Sequence, residues 1–145
     1  MVEPKAYDNN NVFAKILRGE IACAKVYEDD ATFAFMDIMP RSPGHTLVIP
    51  KQPARNILDA TDAQLAAIMR TTRHVSRAVM VAFDAHGVTI QQFNEPAGGQ
   101  VVFHLHVHVL PRHDGVATGK PGIMGDLAEI NTNAERIRRA LENVK

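Results

Sequence analysis

The longest regular pattern in this sequence is a run of apolar residues at helical spacing from Asp62 to about Phe83. Thr61 and Gln64 form a capping-box pattern at its start. Apolar side chains then recur on one helical face, at Leu65, Ile68, Met69, Val75 and Val79. Strand-like segments occur in two groups, one before and one after this helix. This arrangement predicts an α+β domain whose mainly antiparallel sheet carries the long helix packed on it.

Shorter patterns predict five strands and two further helices. A first helix covers Asn11–Leu17 and ends at Gly19. The predicted strands are Ala24–Glu28, Thr32–Ile38, His45–Ile49, Gly87–Phe93 and Val101–Leu110, with the loop Asn94–Gln100 between the last two. The last helix is predicted from about Thr132, with Glu135 three residues on, to Leu141. No repeat or long linker divides the chain, so residues 1–145 form one domain, with a core of 11–112 and a C-terminal extension of 113–145.

The charge balance excludes some partners. Sixteen basic residues match sixteen acidic ones, so no overall field attracts nucleic acid or a membrane, and we expect neither as a partner. A phosphate ligand would depend on local donors. Cys23 is the only cysteine, which fits a reducing compartment. The polar start Met1–Asn11 does not resemble a secretory signal and no apolar run reaches 18 residues, so we expect a cytoplasmic protein.

Three histidines alternate along the last predicted strand. Successive side chains on a strand point to opposite faces, so His104, His106 and His108 should share one face. The other face then carries only apolar side chains, at Leu105, Val107 and Val109. A half-buried strand ordinarily has polar residues on its outer face. Three histidines in strict alternation nevertheless favour a functional explanation.

Metal binding and nucleophilic catalysis compete to explain this histidine face. At about 3.3 Å per residue, His104 and His108 lie about 13 Å apart, too far to share one zinc ion. No Cys-x-x-Cys or His-Glu-x-x-His pattern supplies further ligands. A neutral imidazole is instead a good nucleophile near pH 7, and neighbouring imidazoles can handle charge and protons. The pattern favours catalysis, with no metal and no cofactor.

Two other segments are candidates for binding a nucleotide. Gly98-Gly99-Gln100 comes just before the histidines, and glycines allow backbone amides to approach a phosphate closely. The same glycines would also suit a plain hairpin loop. Asp37 stands among apolar residues, where it could cap a turn or accept hydrogen bonds from the two hydroxyls of a ribose. The residues alone leave these alternatives open.

At these residues the chain resembles the histidine triad (HIT) superfamily, whose signature is His-x-His-x-His followed by two hydrophobic residues. The matching segment here is His104-Leu-His106-Val-His108-Val-Leu110. The similarity runs from about Val12 to Arg112. Its further matching stretches are Phe13–Glu20, Val26–Asp30, Ser42–Lys51 and Ala97–Gln100.

The resemblance implies a HIT-like fold that forms a homodimer with a continuous sheet, and an enzyme acting on a purine nucleotide. His106 would be the nucleophile, His108 and His45 would flank the phosphate, and the backbone carbonyl of His104 would fix the tautomer of His106. Asp37 would bind the ribose. The phosphate would contact Asn94, Gly99, Gln100, Val101 and Val102, and the base pocket would consist of Val12, Phe13, Ile16, Phe35 and Ile38.

The implied reaction is hydrolysis or transfer through a covalent nucleotidyl-histidine. Its substrate would be a nucleoside phosphoramidate, a nucleotidyl adenylate or a dinucleoside polyphosphate. The alternative is a nucleotide-binding regulatory module with little turnover.

Three departures from the family pattern affect this expectation. Some relatives hold a structural zinc with a Cys-x-x-Cys, where this chain has Asn11 and Ala14, and with a histidine, where it has Gln52-Pro53. Val101 replaces a Ser, Thr or Glu that helps the leaving group in relatives. The chain has no tryptophan, which the tail of the Hint-like branch contains, so the branch stays open.

Overall fold

The computed structural model describes residues 5–145 and contains an antiparallel sheet of five strands in the order β1-β2-β3-β5-β4. Its elements are α1 (Val12–Leu17), β1 (Lys25–Glu28), β2 (Thr32–Met36), β3 (Thr46–Pro50), α2 (Asp62–Ala82), β4 (Gly87–Gln91), a 3-10 turn (Pro96–Gly98), β5 (Val107–Arg112) and α3 (Leu127–Leu141). The α+β class and the antiparallel sheet predicted from the sequence are confirmed.

Helix α2 begins where its capping box predicts. The Thr61 side chain accepts from the Gln64 amide, and the Gln64 side chain accepts from the Thr61 amide. The apolar face buries Ile68, Val75 and Val79 completely or almost so against the sheet. Helix α3 packs beside α2 on the same face of the sheet.

The two faces of the sheet carry different apolar clusters. Val48, Val107 and Val109 lie in the larger cluster, under α2 and α3. Leu47 pairs with His108 across β3 and β5, and belongs to a smaller cluster with Phe13 of α1. Directly paired residues in an antiparallel sheet share a face. The histidine side of β5 is therefore the side covered by α1.

The last strand is shorter at its start than the sequence predicts. Strand β5 begins at Val107, so the prediction of a strand from Val101 is wrong, and His104 and His106 precede the strand. The Leu105 amide donates to the carbonyl oxygen of Ala54, a loop residue, instead of to a neighbouring strand. The alternation survives the change. Leu105 and Val107 are buried in the larger cluster, whereas the rings of His106 and His108 pack together, 5.0 Å between centroids.

The last helix begins earlier than predicted, at Leu127 instead of near Thr132. The Asp126 side chain caps it by accepting from the Ala128 amide, 2.9 Å away. Thr132 lies inside the helix, where its hydroxyl donates to the Ala128 carbonyl. The extra turn exists because Ile130, together with the following apolar residues, packs into the larger cluster.

The segment between β5 and α3 is tied to the loop that follows β2. The Gly119 amide donates to the Arg41 carbonyl at 2.7 Å, and the Gly125 amide donates to the Ile38 carbonyl at 2.8 Å. The C-terminal extension thus fixes the loop between Asp37 and His45. Within residues 5–145, no helix has the length and hydropathy needed to cross a membrane.

Candidate active site

His106 is buried, with one ring nitrogen hydrogen-bonded to the protein and the other without a hydrogen bond among the described residues. Its Nδ1 donates to the His104 carbonyl oxygen at 2.7 Å, so the lone pair of the neutral ring lies on Nε2. The side chain is 7% exposed, and burial lowers its pKa, which keeps the ring neutral near pH 7. The Phe13 ring packs edge-on against it, 4.9 Å between centroids. His106 therefore has the tautomer and the charge of a nucleophile.

The His104 side chain has a structural role. Its Nε2 donates to the Pro50 carbonyl oxygen at 2.8 Å, which fixes the tautomer, and its Nδ1 accepts from the Tyr7 hydroxyl at 2.6 Å. The ring is fully buried, and burial lowers its pKa to about 4. The ring anchors the chain, and the carbonyl of the same residue orients His106.

His45 and His108 form a hydrogen-bonded pair beside His106. The Arg41 amide donates to His45 Nδ1 at 3.1 Å, so the hydrogen of the His45 ring lies on Nε2. That Nε2 donates to His108 Nδ1 at 2.9 Å. The hydrogen of His108 is consequently on its own Nε2. Burial is the main cause that lowers the pKa of His45 to about 4 and that of His108 to about 3.

Asp37 combines the turn-capping role with a position in the site. Its Oδ1 accepts from the Met39 amide at 2.8 Å, which is the capping role considered from the sequence. Its Oδ2 lies 3.5 Å from His45 Nε2. Burial raises the pKa of this carboxyl group. Oδ2 remains able to accept a hydrogen bond from a ligand, so the cap and the ribose role are compatible.

Asp37, His45 and His108 are close enough to hold a metal ion, with one ligand atom from each within 4.8 Å of the others. The hydrogen bond between the two rings already uses His45 Nε2 and His108 Nδ1. At the position where the resemblance places a structural zinc in some relatives, the Asn11 side chain accepts from the Ala14 amide and caps α1. That the protein needs no metal stays a prediction, which elemental analysis of the purified protein can test.

The glycine loop leaves only part of the expected phosphate donors unpaired. The amides of Gly98, Gly99 and Gln100 donate to carbonyls of Glu95 and Pro96 inside the 3-10 turn. A phosphate cradle made from the Gly99 and Gln100 amides would have to break these bonds. The next two amides, of Val101 and Val102, donate to no acceptor among residues 5–145. Free donors therefore begin at Val101, two residues later than the resemblance implies.

The Gln100 side chain holds this loop from within. It is 4% exposed; its Oε1 accepts from Asn56 Nδ2 and the Glu95 amide, and its Nε2 donates to the carbonyls of Arg55 and Val102. Arg55 also forms a bidentate ion pair with Glu95, at 2.7 and 3.0 Å. Both acceptor positions and both donor hydrogens of the Gln100 amide are occupied, so none is left for a ligand. Gln100 positions the loop.

Asn94 is likewise engaged with the protein. Its Oδ1 accepts from the Ile57 amide and from Gln92 Nε2, and its Nδ2 donates to Gln92 Oε1. One Nδ2 hydrogen is left for a phosphate.

The apolar residues assigned to a base pocket divide into two groups. Phe13 and Phe35 are buried in the smaller cluster, with Ile16 packed against it, which is the ordinary core role. Val12 and Ile38 are 47% and 45% exposed. Exposed aliphatic residues beside the site are free to contact a ligand.

The sequence reasoning missed Tyr7 and Arg41. Tyr7 contacts His104 across 97 positions of the chain. Arg41 supports His45 through its amide and also carries a guanidinium group near the site. Neither residue belongs to a periodic pattern, so only the three-dimensional structure brings them to the histidines.

A buried neutral histidine whose Nε2 lone pair is unpaired among the described residues has the chemistry of a nucleophile. The HIT domain family model matches residues 18–115, and the chain belongs to the histidine triad family. The crystal structure of a Hit-like protein involved in cell-cycle regulation from Bartonella henselae is similar, with 49% identity and a TM-score of 0.90 over 94% of this chain and 99% of that one.

Two curated relatives carry names that describe an activity. Adenylylsulfatase HINT3 of Arabidopsis thaliana is 36% identical over 113 residues, which cover 78% of this chain and 57% of that protein. This chain therefore matches little more than half of that relative. Adenosine 5'-monophosphoramidase hnt1 of Schizosaccharomyces pombe is 33% identical over 129 residues, covering 87% of this chain and 94% of that protein.

Proposed function

We propose that the protein is a nucleotide hydrolase or transferase in which His106 attacks the α-phosphate of its substrate. The observation that carries this proposal is the hydrogen bond from His106 Nδ1 to the His104 carbonyl, which leaves the Nε2 lone pair free on a neutral ring. Membership of a family with relatives named adenylylsulfatase and adenosine 5'-monophosphoramidase supports it. Candidate substrates are nucleoside phosphoramidates, nucleotidyl adenylates and dinucleoside polyphosphates.

The reaction takes two steps. The His106 Nε2 lone pair forms a P–N bond, and the bond from phosphorus to the leaving group breaks with its electron pair on that group. Water then attacks phosphorus and gives its proton to the solvent, and the P–N bond breaks to return the electron pair to Nε2. The free amides of Val101 and Val102 and the N–H of His108 are the donors available to the phosphate oxygens.

The experiment that tests this proposal is a single-turnover reaction with α-³²P-labelled adenosine phosphoramidate, quenched by alkali. Label should become attached to the intact protein during the reaction and be released at its end, because phosphoramidates of histidine survive alkali. His106→Asn is the matched control and should carry no label. Nucleotide binding without either label or product would instead favour the regulatory module.

The two neighbours Val107 and His108 should respond oppositely to truncation. Val107 is 3% exposed in the larger cluster, so Val107→Ala should lower the free energy of unfolding by about 1–3 kcal/mol and keep the activity per folded molecule. His108 faces the site and is half-buried, so His108→Ala should lower kcat with a smaller loss of stability. Urea unfolding and steady-state kinetics measure both effects. Equal losses in both variants would contradict the assignment of faces.

Asp37 should distinguish ribose from 2′-deoxyribose. Its Oδ2 is the carboxylate oxygen left free by the turn cap, and hydrogen bonds to charged groups contribute about 1.5–3 kcal/mol. The wild type should bind AMP more tightly than 2′-deoxy-AMP, and Asp37→Asn should reduce this preference. Titration calorimetry with both ligands on both proteins measures the difference. Equal binding of the two sugars by the wild type would leave Asp37 with only the capping role.

We also infer a homodimer formed through β4, one of the two outer strands of the sheet, so that the sheet continues into the second copy. β4 pairs with β5 on one side only, and its Ile90 is 42% exposed. An unpaired edge with an exposed apolar side chain is suited to pairing with another strand. Light scattering should give the mass of two chains, and Ile90→Lys should shift it toward one. A monomeric wild type would overturn this inference.

A further inference from the structure

The charge of Arg41 is not taken up by an ion pair within the described residues, although it acts on the Asp37 carboxyl group, whose pKa it lowers against the effect of burial. Its Nη1 donates to Gln91 Oε1 at 3.0 Å, and its Nε makes a long contact of 3.5 Å with the Gly119 carbonyl. Both acceptors are neutral, and Arg41 forms no ion pair within residues 5–145. By contrast, Arg55 is paired with Glu95. A guanidinium group has five N–H donors, so three of those on Arg41 remain available.

The guanidinium lies on the histidine side of the sheet. Gln91 is directly paired with His108 across β4 and β5. Directly paired residues in an antiparallel sheet share a face, with Cβ atoms about 4.5–5.5 Å apart. The group that binds the Gln91 side chain is therefore held beside His108. The electrostatic influence of Arg41 agrees with this placement, because its charge contributes to lowering the pKa of both His45 and His108.

Both backbone polar groups of Arg41, its N–H and its C=O, are hydrogen-bonded. Its amide donates to His45 Nδ1, and its carbonyl accepts from the Gly119 amide. These bonds hold the loop that carries the Arg41 side chain in place. Less conformational entropy is therefore lost when the guanidinium group binds a ligand. The Arg41 carbonyl already links this loop to the C-terminal extension, and any residue could provide that bond. The link therefore does not explain the charged side chain.

We propose that Arg41 binds the leaving group of the reaction, and that the preferred substrates are nucleotides whose α-phosphate is joined to an anionic oxyacid such as sulfate or phosphate. This inference rests on the proposed attack by His106. Sulfate and phosphate oxygens match the planar fork of a guanidinium, whereas ammonia or an amine offers it no negative charge. The exposed Val101, which follows the Gly-Gly-Gln loop, has no polar atom in its side chain to assist an amine.

The charge balance of the first step explains the preference. When the His106 Nε2–P bond forms, the P–O bond to the leaving oxygen breaks, and the electron pair of that bond stays on the oxygen. A sulfate leaves with this added negative charge and requires no proton at neutral pH. An amine must instead receive a proton as the P–N bond breaks. A fixed guanidinium stabilises the negative charge that develops on the leaving oxygen, and it disfavours protonation of the nitrogen, which must precede or accompany departure of a neutral amine.

The test compares two substrates that differ only in the leaving group, adenosine 5′-phosphosulfate and adenosine 5′-phosphoramidate. The measured quantity is the ratio of their kcat/KM values. Arg41→Gln should lower this ratio about 10-fold or more, which is the size expected for a lost charge-assisted bond. Arg41→Lys, which keeps the charge, should retain most of the ratio.

Arg112→Gln is the matched control. Arg112 also links β4 to the C-terminal extension, by bonds to Thr89 Oγ1 and the Val116 carbonyl, but it lies at the far end of β5 from His108. Its replacement should leave the substrate ratio unchanged. Equal losses with both substrates in Arg41→Gln would mean that Arg41 is only a structural clamp, and would overturn the proposal while the attack by His106 still stands.

A sulfate titration of the wild-type protein tests the role of Arg41 even if the Arg41 variants do not fold. The complex with AMP has the α-phosphate site filled, so sodium sulfate titrated into it reports on the leaving-group position alone. Calorimetry should detect sulfate binding, weakened at high sodium chloride concentration. Absence of sulfate binding by the AMP complex would overturn the role of Arg41, and a wild type that turns over neither adenosine substrate would overturn the proposed function as well.

Discussion

His106→Asn should remove turnover while leaving the fold and nucleotide binding in place. Asparagine can keep a hydrogen bond to the His104 carbonyl through its Nδ2, but it has no basic nitrogen that can form a bond to phosphorus. Loss of a nucleophile in other covalent enzymes costs many orders of magnitude in kcat, and we expect a loss of about 10³-fold or more. Because the Phe13 ring packs against the His106 ring, a small loss of stability should accompany this change.

Single-turnover kinetics and titration with AMP measure the two halves of this prediction. His86→Asn is a suitable control, because His86 accepts from the Asp114 amide on the other end of the sheet and is far from the site along β4 and β5. The control should keep the wild-type rate. Turnover by His106→Asn close to the wild-type rate would show that another group attacks phosphorus.

The elements that sequence alone predicted correctly have local causes. Helix α2 was predictable because its capping box and its apolar face lie within one continuous segment, Thr61 to Ala82. The alternation around Leu105 and Val107 was also predictable, because a core-facing residue must be apolar wherever the extended chain continues. These signals depend on neighbours a few residues away.

The errors have causes elsewhere in the chain. The segment before β5 leaves the sheet because the Leu105 amide bonds to Ala54 and because the buried Gln100 side chain bonds to the segment containing Arg55 and Asn56. The predicted start of helix α3 lies too far along the chain because both Asp126 and Thr132 are suitable N-cap residues. Asp126 is the N-cap because Ile130 packs into the larger cluster. No local sequence pattern distinguishes between the two N-cap residues.

The sequence predicts which residues make up the candidate site, but it does not predict the groups that hydrogen-bond to them. The three histidines and Asp37 are visible in short motifs. The tautomer of His104 is set by Tyr7 and the Pro50 carbonyl, and the tautomer of His108 is set by the Arg41 amide through His45. No periodic pattern in the sequence marks these supporting groups. Whether a histidine can attack depends on those partners, so the chemistry required the structure.

Acidification should destabilise the protein strongly between about pH 6.5 and pH 4. His104 is fully buried, and its folded-state pKa is about 4, below the ordinary value of 6.5. Between these values the unfolded chain binds a proton at this residue and the folded chain does not, so stability rises with pH and is lost as the pH falls below 6.5. One pKa unit corresponds to about 1.4 kcal/mol, so His104 alone should account for about 2–3 kcal/mol between pH 7.5 and pH 4.5.

The variant His104→Gln separates this effect from general acid unfolding. A glutamine can donate to the Pro50 carbonyl and accept from the Tyr7 hydroxyl as the imidazole does, but it does not titrate. Urea unfolding at several pH values should therefore give a shallower loss of stability below pH 6.5 for the variant, even if its stability at pH 7.5 is lower. The remaining slope contains the contributions of His45 and His108, whose pKa values are lowered to about 4 and about 3. Parallel pH dependences for the two proteins would mean that the pKa of His104 is not lowered in the folded state, and the assignment of a neutral His104 ring between Pro50 and Tyr7 would then be wrong.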